Sequence, residues 1–171
     1  MENISVAQVN GVNIIKIVGK AVMQISPSVE KLLIESKKTP ILDLSETSYI
    51  DSTFLVLIAK YSLIFKKKNN EFLSIVRPTK SVLDNLEKTG ILKFVLIIDK
   101  TIQINAKEVE ATKISNEELK KHILELHEIL MNLNEENKKI FSNVVELMKK
   151  GLDKWKFVLF MLVFQQKEKY Q

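Results

Sequence analysis

Short apolar runs alternate with amphipathic stretches through the first hundred residues, in an order that few folds accept. Ile4 to Val9 (ISVAQV) and Val12 to Val18 (VNIIKIV) read as strands, and Asn10-Gly11 joins them. Asn-Gly between two apolar runs is a strong hairpin signal, because both residues tolerate the φ > 0 of a type I′ turn. Ser26-Pro27 reads as an N-cap and the first residue of a helix. Val29, Leu32, Leu33 and Ser36 place a stripe on one face of that helix. After Pro40, Ile41 to Leu44 is fit for a buried strand, and Ser45 to Tyr49 reads as a polar loop. Asp51 or Ser52 then caps a helix running to about Lys68. It carries Phe54, Leu55, Val56, Leu57, Ile58 and Ala59, then Tyr61, Leu63, Ile64 and Phe65, so the helix must be largely buried. Lys66, Lys67 and Lys68 complement the macrodipole at its end. Phe72 to Val76 is a strand that Arg77-Pro78 breaks, and a short helix follows to about Lys88 with Gly90 beyond it as a C′ glycine. Phe94 to Ile98 is a last strand. The order β-β-α-β-α-β-α-β implies an α/β fold, with a mixed, mostly parallel sheet, an N-terminal hairpin and right-handed crossovers.

Composition narrows the chemistry. The chain has 171 residues, enough for one domain and an extension. With no Cys, thiolate metal sites, disulfides and Cys nucleophiles are excluded. His122 and His127 are the two histidines; five residues apart on a helix they face different ways and are expected as solvated side chains rather than a metal pair. No nucleophile–base pair, phosphate loop or metal cluster stands out, so an enzyme and a bound cofactor are not expected. The N-terminus lacks a basic region followed by a long apolar run. The longest apolar run, Phe157 to Phe164, has eight residues where a membrane span needs about 20. A cytoplasmic protein is expected. The formal charge of +5 is too mild to call for nucleic acid.

The segment ILDLSETSYIDST, Ile41 to Thr53, followed by FLVLIA, resembles the switch loop of the STAS (anti-sigma-factor antagonist) family. In that family an apolar strand leads through Asp-Leu-Ser to an apolar-Asp-Ser-Ser/Thr and a buried helix. The later stretch RPTKSVLDNLEKTGILKFVLI resembles the family's final helix, turn and strand, so the resemblance spans residues 3–105 or so. It implies that Ser52 is the phosphoacceptor, with Thr53 as a second hydroxyl, and that Tyr49, Ile50 and Asp51 form the switch loop. It implies a partner anti-sigma factor acting as a serine kinase, which supplies ATP and Mg²⁺, while the STAS domain catalyses nothing. Phe54 and Leu55, at the exposed start of the second helix, would dock the partner. Antagonists carry Gly-Leu-Gly where this chain has Phe54-Leu55-Val56, and Phe54 adds bulk at the docking point.

Residues 106–171 lie beyond that resemblance and read as an all-α extension. From Ser115 onward, Leu119, Ile123, Leu126, Leu130, Leu133, Asn137, Ile140, Val144 and Leu147 recur in alternating steps of four and three. That is a heptad pattern, with Asn137 at an a position, and it fits a homodimer seam through 116–150 centred on Leu126, Leu130, Leu133, Asn137 and Ile140. The rival is a helical hairpin broken near Asn132–Asn137, where an Asn followed by Glu135 and Glu136 makes a cap signal. The Phe157 to Phe164 run fits a buried core segment, a membrane-surface segment or a docking segment. Two functions follow from the resemblance: an antagonist switched at Ser52, or a non-switching adaptor in a larger signalling or transport complex.

Overall fold

A computed structural model describes residues 2–100 and 106–150. Strands β1 (Asn3–Val9) and β2 (Val12–Ala21) form the expected hairpin, with Val9 opposite Val12. Its turn places Asn10 and Gly11 at φ 51° and 79°, as a type I′ turn requires. Helix α1 (Ser26–Glu35) begins one residue earlier than its sequence signal suggests: Ile25 is the N-cap, and Ser26 and Pro27 are its first residues.

Strand β3 spans Ile41–Ile50, so the polar stretch Ser45 to Tyr49 is strand and not loop. Thr47 points inward and is buried while Glu46 and Ser48 face out, a period-two pattern written in polar residues. The Thr47 hydroxyl donates to the Ile17 carbonyl at 2.8 Å, which satisfies it inside the core. The β2–β3 register shifts by one residue between Lys16 and Val18 and again between Gly19 and Lys20, each time with the extra residue in β3.

Helix α2 (Ser52–Asn69), β4 (Leu73–Val76), α3 (Lys80–Lys88) and β5 (Val95–Ile98) follow in the predicted order, with Phe94 closing a 3-10 turn at Ile91–Phe94 instead of opening β5. Gly90 sits at φ 74° beyond α3. The sheet order is β5-β4-β3-β2-β1-β6, parallel from β2 to β5 and antiparallel at β1. The sixth strand, β6 (Lys107–Glu108), pairs with β1, and the Val109 amide donates to the Ile4 carbonyl at 2.8 Å. The sheet therefore crosses the boundary expected at residue 105.

The stretch from 116 to 150 is a hairpin of α4 (Asn116–Met131) and α5 (Glu135–Lys149). Ser115 and Glu118 form a reciprocal capping box at the start of α4, and the Asn134 side chain accepts from the Asn137 amide to start α5. A single continuous seam is thereby ruled out within the chain, and its residues have other neighbours. Leu126 and Leu130 are buried in the same core as Ile15, Leu42, Leu44 and Phe54, and Leu133 is packed against it. Asn137 hooks its side-chain amide onto the Thr89 carbonyl at 3.3 Å, and Ile140 is half-buried. The heptad spacing is real, but its apolar edge is spent on this chain's own domain. Among the described residues, no helix is long and apolar enough to cross a membrane. The Phe157 to Phe164 segment lies outside the described residues.

Candidate functional site

The end of β3 and the start of α2 are tied to the exit of β2 by one carboxylate. Asp51 is the N-cap of α2, with Oδ1 accepting from the Phe54 amide and Oδ2 from the Met23 amide, both at 2.8 Å. Its own amide donates to the Ala21 carbonyl at 3.0 Å. Four backbone groups near a chain crossing are thus satisfied through one side chain and its peptide. Withdrawal from water raises the Asp51 carboxyl to about 6, against the pull of the amides of Phe54, Met23 and Thr53. Ile50 is buried just before this cap and Tyr49 is half-buried.

Ser52 follows as the first residue of α2. It is 7% exposed, and Thr53, Phe54 and Leu55 are buried still more completely. The expected open docking surface at Phe54 and Leu55 is therefore closed. Every residue from Ser52 to Ala59 is buried, which needs neighbours on more than one side of the helix. The sheet is one neighbour, and α4, which lies along α2, is another.

The side chain over Ser52 belongs to α4. His127 is 0% exposed; its Nε2 lies 3.1 Å from Ser52 Oγ and its Nδ1 lies 2.8 Å from the Ile123 carbonyl. A carbonyl only accepts, so Nδ1 carries the proton and Nε2 takes the hydrogen bond from the Ser52 hydroxyl. Burial lowers the His127 pKa, which keeps the ring neutral and suits this tautomer. The Phe141 ring meets it edge-on, with centroids 6.1 Å apart.

A polar clamp lies beside this contact, between α4 and the pair α1 and α2. Glu30 Oε1 accepts from Lys60 Nζ at 3.0 Å and from the Tyr61 hydroxyl at 2.8 Å, and Oε2 lies 3.0 Å from His122 Nδ1. His122 Nε2 is 2.8 Å from Ser26 Oγ, whose hydroxyl also reaches the Met23 carbonyl at 2.8 Å. Lys60 reaches Glu125 of α4 at 2.6 Å. Burial works to raise the Glu30 carboxyl, but the bonds from His122, Tyr61 and Lys60 outweigh it and hold it at about 2. Burial, then Glu30 itself, pushes the Tyr61 hydroxyl up.

Both histidines thus depart from the solvated reading: each turns toward the sheet domain and finds a partner there. His127 had a legible signal, since Ile123, Leu126, His127 and Leu130 share one helical face at i, i+3, i+4 and i+7. Glu30 and Lys60 carried no comparable signal, because their meeting depends on how α1, α2 and α4 pack. Among the described residues, no group of three His, Asp or Glu is placed to hold a metal ion.

A family model for the STAS domain matches residues 3–111. The chain belongs to the STAS family. Its matched region ends beyond β6, so the strand that closes the sheet is part of the STAS domain. Ser52 occupies the position at the start of α2 that the family resemblance singles out. Among solved structures, the anti-sigma factor antagonist SpoIIAA in its unphosphorylated form aligns with a TM-score of 0.47 at 14% identity, over 57% of this chain and 89% of that one. A search of curated proteins finds no match. Helices α4 and α5 lie beyond the matched STAS region, and α4 is what covers Ser52.

Proposed function

We propose that this STAS protein is a regulatory interaction module of the anti-sigma-factor antagonist type, working in the cytoplasm, and that phosphorylation of Ser52 by a partner serine kinase switches it. The observation that carries the reading is the position of Ser52, directly after the capping Asp51 and at the first turn of α2 in a STAS fold. Amide groups at a helix N-terminus favour an anion, so a phosphate there is compatible with the fold of the sheet domain. It adds roughly −1.5 to −2 charges beside Asp51 and changes what the start of α2 can bind. Thr53 is a poorer acceptor than Ser52, since it is 1% exposed. The partner is an anti-sigma factor with kinase activity or another signalling protein; no nucleic acid and no membrane is called for.

Phosphopeptide mapping of the chain recovered from the cells that make it tests this reading. Phosphate on Ser52 under at least one growth condition is expected. Phosphate elsewhere, with Ser52 unmodified throughout, contradicts it.

A second reading is a non-switching adaptor in a larger complex. The burial of Ser52, Thr53, Phe54 and Leu55 favours it, because a surface that is always covered needs no kinase. The two readings differ in whether α4 ever leaves that surface.

A further inference from the structure

We infer that the α4–α5 hairpin is a lid over Ser52, which opens as a unit while the sheet stays folded. The inference builds on Ser52 as the switch. A serine that is 7% exposed, with its hydroxyl bound to a fully buried imidazole, cannot enter a kinase active site, so modification needs an opened state. The α4–α5 hairpin is the part of the chain suited to open. It follows the last described strand of the sheet, so its departure breaks no strand pairing among the described residues.

Its contact surface is mixed rather than purely apolar. Leu126 and Leu130 enter the core, with Ile129, Leu133 and Phe141 packed against it, but His122 and Glu125 are held by the charged groups Glu30 and Lys60, and His127 by a hydroxyl. Such groups regain water when the surfaces part, which lowers the cost of opening relative to separating two apolar faces. Proteins open in cooperative units below the global unfolding free energy, often along supersecondary motifs such as this hairpin. The bulk at Phe54-Leu55-Val56 agrees with the lid: these side chains are covered in the closed state, so the start of α2 carries apolar residues that a permanently exposed surface would not.

The absence of native Cys makes thiol labelling a direct test. Three single-thiol versions of the full chain are compared: Ser52→Cys under the lid, Ser81→Cys on the exposed side of α3, and Val76→Cys in β4. Labelling by an aromatic disulfide reagent is followed across sub-denaturing urea. The thiol at 52 is expected to react about a hundredfold more slowly than that at 81, yet faster than that at 76, with a shallower urea dependence than at 76. Adding His122→Ala, which loosens the clamp away from position 52, is expected to speed labelling at 52 about tenfold and leave 81 unchanged. Labelling at 52 as fast as at 81 shows no lid. Labelling at 52 with the rate and urea dependence of position 76 shows that only global unfolding uncovers it. Either result, or indifference to His122→Ala, overturns the inference. No kinase enters the assay, so the lid stands or falls separately from the phosphorylation of Ser52.

Discussion

Ser52 Oγ and His127 Nε2 are 3.1 Å apart, a hydrogen bond between residues 75 positions distant in sequence. It joins the first residue of α2, the switch position proposed above, to a helix beyond the matched family region. The serine donates, because the imidazole has committed its other nitrogen to Ile123.

Ser52→Ala is expected to destabilise the full chain by about 1–2 kcal/mol, because it leaves His127 Nε2 buried without a donor. Urea unfolding at neutral pH measures it. Unchanged stability would show that the two side chains are not bonded in solution.

Asp51 gives a pH dependence of defined sign. Its carboxyl sits at about 6 in the folded chain against an ordinary value of 3.8, so between those pH values the folded state binds the additional proton. Stability from this group is therefore highest below about pH 4 and declines as pH rises to about 6, by at most about 3 kcal/mol. Asp51→Asn should flatten stability across that window. Because its amide NH₂ would face the Met23 amide, which also donates, the variant is also expected to be less stable at pH 5. Unfolding curves from pH 3.5 to 7 check both.

Glu30 works in the opposite sense. Held at about 2 against an ordinary 4.5, it stays charged when folded in a range where the unfolded chain takes up a proton. Its contribution is complete above about pH 4.5 and is lost as pH falls toward 2. Glu30→Gln is expected to weaken the acid limb of the stability profile and to loosen α4, read as faster amide exchange around His122 and Glu125. An acid limb identical to that of the parent chain would mean that the clamp does not form.

Leu126→Ala is expected to cost about 2–5 kcal/mol, the range for emptying a well-packed core site. Because Leu126 packs inside its own chain, the loss should be the same at micromolar and at hundred-micromolar protein. A loss that grows with protein concentration would instead place Leu126 in a seam between chains.

Much of the sheet domain was legible because its signals are local. Asn10-Gly11 announces a turn, Ile41 to Leu44 a buried strand, and Asp51 a cap. The second half of β3 was missed because Thr47 is the inward residue of a polar stretch, and its hydroxyl is satisfied only by the neighbouring strand. The heptad spacing from Leu119 to Leu147 showed an apolar edge but not its partner, since a helix packs by the same spacing on another chain or on its own domain. Asn134 and its cap decided between a long helix and a hairpin. The unbroken apolar run from Phe54 to Ala59 called for burial on several sides, and α4 provides one of them.

Amide hydrogen exchange on the full chain, with and without phosphoserine installed at position 52, shows whether a phosphate there opens the α4–α5 lid. A phosphate cannot keep its charge in the space now shared by Ser52 and the neutral His127 ring, so it should drive the lid open. Amides from Leu119 to Leu130 are predicted to lose about tenfold or more in protection while those of β2 and β3 keep theirs. Unchanged protection across α4, or equal loss in α4 and β3, would contradict a switch that works by opening this lid.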